Sequence, residues 1–212
     1  MVHFRTALAG VFWLALLFQL GITVGTALRT DASMLRALAD YFFYFTTLTI
    51  AFCAMALTVR AFPEWDGRLI RFFRRNGSTT GAAVSLILVG LIHHFILRPL
   101  APSEGLQHLS DLILHYVMPI LFTGFWWEYV PRGALAIRDI PRWMIFPAGY
   151  AVYVFARGVL VSQYQYPFVD ASALGLPVAV RNASLTVLVF LAVAVILVWV
   201  NRFAGNPSRL EY

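Results

Sequence analysis

His108, Asp111 and His115 fall at i, i+3 and i+7, a spacing that puts all three on one face of a helix. Two imidazoles and a carboxylate so arranged are the materials of general acid–base chemistry. They open an apolar run, with His115 about seven residues inside it, roughly 10 Å by helical rise. Ionisable groups at such depth in a membrane are rare and usually turn toward the protein interior. The plain alternative is a neutral histidine bonded to a neighbouring helix. Pro119 has no N–H to offer the His115 carbonyl, so a bend and a cavity are expected beside that histidine. Prolines are also common in membrane helices without a function, so this residue is supporting only.

A second group opens another apolar run, Tyr41-Phe42-Phe43-Tyr44-Phe45-Thr46-Thr47-Leu48-Thr49. Thr46 is expected five or six residues down that helix, roughly 8 Å, close to the depth of His115. A hydroxyl and an imidazole at matching depth on two helices could form a nucleophile–base pair. On spacing alone the structural role dominates, because membrane threonines usually bond to the i−4 carbonyl or across to another helix. Asp111, one turn before His115, could orient the imidazole as the acid of a catalytic triad does.

Further polar groups gather on the same side. His94 and Arg98 are four apart and share a face, while His93 and His94, being adjacent, cannot both enter one pocket. Arg157 needs a counter-charge, for which Asp111 and Asp170 are the available acids. Asn182 is a further candidate donor. The segment Ser162–Gly175 mixes aromatic and polar residues, among them Gln163, Tyr164, Gln165 and Tyr166. It reads either as a lid folded back over the helices or as an ordinary interfacial loop. A hydrogen-bonded cluster that holds the helices in register is the competing account of all these groups.

The elements that must position them are membrane-spanning. The chain of 212 residues is 60% hydrophobic and 12% charged, about half the charge of a soluble domain. Six runs approach the roughly 20 residues a bilayer-spanning helix needs: Ala7–Leu28, Tyr41–Val59, Thr79–Leu97, Leu109–Tyr129, Trp143–Val161 and Pro177–Val200. The first follows Arg5 as a signal peptide would, but it is too long for a signal core and is read as a retained helix. The expected fold is all-α, a single bundle of about six transmembrane helices.

All sixteen basic residues are arginine. Eleven of them (Arg5, Arg60, Arg68, Arg71, Arg74, Arg75, Arg132, Arg138, Arg142, Arg202 and Arg209) fall on one side of the runs. Their place in short loops marks an orientation signal, not a nucleic-acid surface, and puts both termini in the cytoplasm. Trp65, Trp127, Trp143 and Trp199 fall near that side, as an aromatic belt would. Cys53 has no partner for an internal disulfide. There is no G-x-S-x-G elbow, no H-E-x-x-H and no phosphate-cradling glycine loop.

The stretch Tyr44-Phe45-Thr46-Thr47-Leu48-Thr49, then Asp111-x-x-x-His115 followed by Pro119, then Tyr166-Pro167-Phe168-Val169-Asp170, resembles the androgen-induced and androgen-dependent TFPI-regulating proteins. Val89-Gly90-Leu91-Ile92-His93-His94 and Arg157-Gly158 extend the likeness nearly end to end toward the bacterial branch of small six-helix membrane proteins. The resemblance implies a membrane hydrolase of fatty acid esters of hydroxy fatty acids, with a threonine nucleophile at Thr46, a histidine at His115 and no cofactor. It implies a multi-pass protein of a bacterial inner membrane with a lipid ester substrate, while the arginine count puts the site on the extracytoplasmic side. The chain departs from the animal pattern in two places: His115 and Pro119 are one residue closer, and Thr49 stands where that pattern has an acid. Two other readings stay open at this point. His93 or His94 with His108 or His115 could hold a haem or a metal ion between helices, or the polar cluster could bind or transport lipid without turnover.

Overall fold

The computed structural model describes residues 2–161 and 163–203. Among these the chain is helical, with α1 (Val2–Arg29), α2 (Met34–Phe43), α3 (Phe45–Ala61), α4 (Arg68–Arg74), α5 (Asn76–Leu100), α6 (Gly105–Tyr129), α7 (Ile137–Val161) and α8 (Leu176–Phe203). Five of these are long and apolar enough to cross a membrane, and α2 with α3 makes a sixth span if the bent pair is counted as one. This is an all-α, multi-pass membrane architecture. Arg209 and Ser162 lie outside the described residues.

α5 is the centre of the bundle and packs against α3, α6, α8 and the start of α7. Without a hydrophobic effect between helices in lipid, close packing requires small residues at the contact. α5 supplies Gly77, Gly81, Ala82, Ala83, Ser85 and Gly90. Phe12, Ile50, Leu57, Leu86, Phe122, Trp126 and Phe190 fill the interior around it. Trp143 is part of that interior and not of an interfacial belt: it is buried, and a Cβ at Gly81 would lie 3.2 Å from its own Cβ.

Several arginines of the charged end are structural. The Arg60 guanidinium donates to the carbonyls of Phe73 and Arg74, both at 2.7 Å, and to Thr79 Oγ1 at 2.6 Å. It thereby serves carbonyls left open at the end of α4. Arg74 donates to the carbonyls of Val59 and Phe62.

The second span departs most from expectation. Instead of one helix from Tyr41, α2 and α3 meet at 63° around Tyr44, whose backbone is extended (φ −67°, ψ 133°). Neither glycine nor proline stands at the break. It is held by tertiary partners: the Phe45 N–H donates to the Tyr166 hydroxyl at 3.1 Å, and the Tyr150 hydroxyl donates to the Phe43 carbonyl at 3.0 Å. Two of the peptide groups freed by the break, the Phe45 N–H and the Phe43 carbonyl, are thus satisfied by side chains from elsewhere in the chain.

α5 and α6 each carry one π turn, His93–Leu97 and Ile113–Val117, closed by Arg98 N–H to His93 O and by Met118 N–H to Ile113 O. Each precedes a proline, Pro99 and Pro119. The widened turns sit at the histidines, a placement typical of functional positions.

Candidate functional site

A cavity of about 540 Å³ lies among α1, α2, α3, α5, α6 and the segment before α8. Thr46, His93, Asp111 and His115 line it together with Asp40, Tyr44, Gln107, Gln165 and Tyr166. Its size is that of a small-molecule site.

The break at Tyr44 determines what Thr46 can do. Thr46 is the second residue of α3 and not a mid-helix residue, so it has no helical i−4 carbonyl behind it. Thr23, Thr30, Thr58, Thr79, Thr80 and Thr186 all donate to the carbonyl four residues back. Thr46 makes no such bond, and its hydroxyl lies against that of Tyr166. Loss of solvent around the Tyr166 hydroxyl pushes that phenol up to about 12, so it stays neutral. Because α3 starts at Phe45, the backbone N–H groups of Thr46 and Thr47 have no intramolecular acceptor among the described residues.

His115 is buried, and its Nδ1 lies 3.0 Å from the Asp111 carbonyl oxygen. Only a protonated Nδ1 can bond a carbonyl, so the neutral ring carries its lone pair on Nε2. The expectation that the Asp111 carboxylate orients the imidazole is corrected here: the backbone carbonyl does so, while Asp111 Oδ1 accepts from Gln107 Nε2 at 2.9 Å. The His93 ring stacks on His115, with centroids 3.8 Å apart and planes 10° apart. No direct hydrogen bond joins Thr46 and His115, though both line the cavity.

The stacked histidines do not suit a haem, since no porphyrin fits between rings 3.8 Å apart. Among the described residues no three His, Cys, Asp or Glu side chains converge as a metal site.

The other expected site residues separate. His94 points away from this cavity and bonds to Tyr116 Oη at 3.0 Å, and it is His93 that enters. His108 is exposed and does not line the cavity. Arg157 pairs with Asp40, not with Asp111 or Asp170, and donates also to Gln165. Asp170 caps the helical turn Ala171–Leu174. Gln163 touches Arg157 at 3.5 Å, Asn182 Nδ2 donates to the Phe168 carbonyl at 2.7 Å, and Tyr164 lies on Gly158, where a Cβ would meet its ring at 2.2 Å. These residues fasten the segment before α8 and do not line the cavity. That segment does fold back over the helices, through Gln165 and Tyr166. Asp40 was missed because α2 was not expected. Gln19 and Gln107, which bond each other at 3.3 Å, carry no sequence pattern that marks them.

A smaller apolar cavity of about 130 Å³ adjoins the first, and Thr46, Leu97 and Tyr166 border both. Its other walls are largely side chains of α7 and α8. No known protein family, curated protein or solved structure matches this chain.

Proposed function

We propose that this protein is an intramembrane lipid ester hydrolase with Thr46 as nucleophile and His115 as general base. The observation that supports it most is the meeting of these two residues, from separate helices, in one cavity, each released from the bond that would occupy it. Thr46 Oγ1 has no i−4 carbonyl to bind. His115 Nε2 keeps its lone pair because Nδ1 is tied to Asp111.

In this reading Thr46 Oγ1 attacks the ester carbonyl carbon while His115 Nε2 takes the hydroxyl proton. Collapse of the tetrahedral intermediate expels the alcohol, which receives that proton, and leaves an acyl-threonine. Water, deprotonated by the same nitrogen, then releases the fatty acid. The free N–H groups of Thr46 and Thr47 are the oxyanion donors. The acyl chain lies in the apolar cavity beneath Thr46. It enters sideways past α7, whose most apolar window is only 11% buried in the bundle.

The arginine distribution supports cytoplasmic termini with the site toward the outside, and the resemblance supports a bacterial inner membrane. The resemblance to membrane threonine hydrolases supports fatty acid esters of hydroxy fatty acids as the substrate class.

The test is turnover of a fluorogenic long-chain acyl ester by purified protein in lipid nanodiscs. Wild type is expected to hydrolyse it and to form an acyl adduct at Thr46, while Thr46→Ala and His115→Ala lose at least about a hundredfold in rate. Saturable binding without turnover would replace the hydrolase by a lipid-binding protein.

A further inference from the structure

The arginine-rich end of the bundle holds another cavity, of about 560 Å³, between α3, α5 and the start of α7. None of its lining residues belongs to the two cavities around Thr46. Thr49 and Ser85 are in its wall, 0% and 1% exposed, and neither hydroxyl has a hydrogen-bond partner. Thr49 sits inside α3 and still forgoes the i−4 bond that six other threonines make. A buried hydroxyl left unpaired is a standing cost to the fold, and two such groups in one cavity mark a place where a bound molecule completes them.

The same cavity is bordered by Arg75 and Arg142, both exposed. Neither guanidinium has an ion-pair or hydrogen-bond partner among the described residues, whereas Arg60, Arg71 and Arg74 at the same end are all engaged. Asp139 is the one acid in the lining, and its Oδ2 already accepts the Ala136 N–H at 3.1 Å. Phe52 and Phe146 provide an aromatic wall. Arg75 caps the start of α5 and Ser85 is its tenth residue, about 14 Å of rise. An arginine side chain reaching inward covers part of that distance, which leaves roughly 10 Å between guanidinium and hydroxyls.

We propose that this cavity binds an amphiphile of the adjoining leaflet with an oxyanion headgroup and a second oxygen function partway along its chain. Arg75 and Arg142 hold the headgroup as a carboxylate. Thr49 and Ser85 bond the mid-chain oxygen, and the hydrocarbon between lies on Phe52 and Phe146. The site stands apart from Thr46 and does not rest on the hydrolase reading.

The experiment measures binding to full-length protein in phosphatidylcholine nanodiscs, with 10-hydroxystearate, stearate, phosphatidic acid and inorganic phosphate as separate probes. 10-Hydroxystearate is expected to bind about tenfold more tightly than stearate, as one or two added hydrogen bonds allow. Arg75→Gln with Arg142→Gln weakens both fatty acids alike, and Arg68→Gln with Arg138→Gln at the same face does not. Thr49→Val with Ser85→Ala abolishes the preference for the hydroxylated chain and leaves the melting temperature unchanged or higher. Four results would each overturn the proposal: equal binding of the two fatty acids, a preference that survives loss of both hydroxyls, a fall in melting temperature on their removal, or inorganic phosphate or phosphatidic acid binding as tightly as the hydroxylated chain.

Discussion

Gly90 and His115 meet main chain to main chain: a Cβ on Gly90 would stand 2.8 Å from the His115 carbonyl oxygen and 3.5 Å from the Pro119 ring. That carbonyl is the one whose helical donor Pro119 removes. Proline on α6 and glycine on α5 are thus two halves of one contact, and together they set the height of the imidazole in the cavity. Gly90→Ala has backbone to displace and no flexible side chain that can give way. It is expected to cost about 1–3 kcal/mol, as overpacking does, and to lower ester turnover more than thermal stability alone explains. Gly124→Ala, also on α6, meets nothing within 4 Å and is the control. Thermal melts and rates of both variants check this.

The ion pair of Arg157 with Asp40 fixes the segment before α8 against α2. The two side chains are 17% and 33% exposed, between the surface case, where such pairs contribute little, and the buried case, where breaking one costs about 3–5 kcal/mol. Asp40→Ala and Arg157→Ala are each expected to cost about 1–3 kcal/mol and to couple by about 1 kcal/mol in a double-mutant cycle. Additive losses would show that the pair is incidental. Both variants should also make the Gln163–Tyr166 segment a faster protease target.

The sequence was readable where one local pattern decides the outcome. Apolar runs located the spans, and the spacing of Asp111, His115 and Pro119 pointed to a stretch of α6 from which Asp111 and His115 line the cavity. Thr46 alone was ambiguous, and the resemblance in its motif raised it above the other threonines. What escaped was set by contacts distant in sequence. No residue between Tyr41 and Thr49 breaks a helix, and the break at Tyr44 is held because Tyr150 and Tyr166 satisfy two of the groups it exposes. With the break unseen, the free N–H groups of Thr46 and Thr47 and the role of Asp40 were unseen too. The choice between His93 and His94 depended on the π turn that begins at His93, which adjacent histidines alone do not signal.

Tyr166→Phe removes the acceptor of the Phe45 N–H and leaves that donor buried beside Thr46. The expected cost is about 1–2 kcal/mol, with a larger proportional loss of turnover because the first turn of α3 loses its anchor. Tyr150→Phe frees the Phe43 carbonyl on the other side of the break and is expected to act in the same direction. Amide hydrogen exchange over residues 43–48 would rise in both variants. Unchanged exchange there would mean that the bend is intrinsic to α2 and α3.

Thr46→Val separates chemistry from packing. Valine has the shape of threonine without the hydroxyl, and that hydroxyl makes no backbone bond whose loss would weaken α3. Stability is therefore expected to stay within about 1 kcal/mol of wild type, the scale of a single modest hydrogen bond, while turnover falls at least about a hundredfold. Thr46→Ser keeps a hydroxyl but loses the methyl group that restricts its rotamer, so it should retain measurable turnover and still form the acyl adduct. Thr58→Val, farther along α3 and outside both cavities around Thr46, is the control and should keep most activity. A Thr46→Val protein that hydrolyses the ester at the wild-type rate would take the nucleophile away from this residue, whatever else lines the cavity.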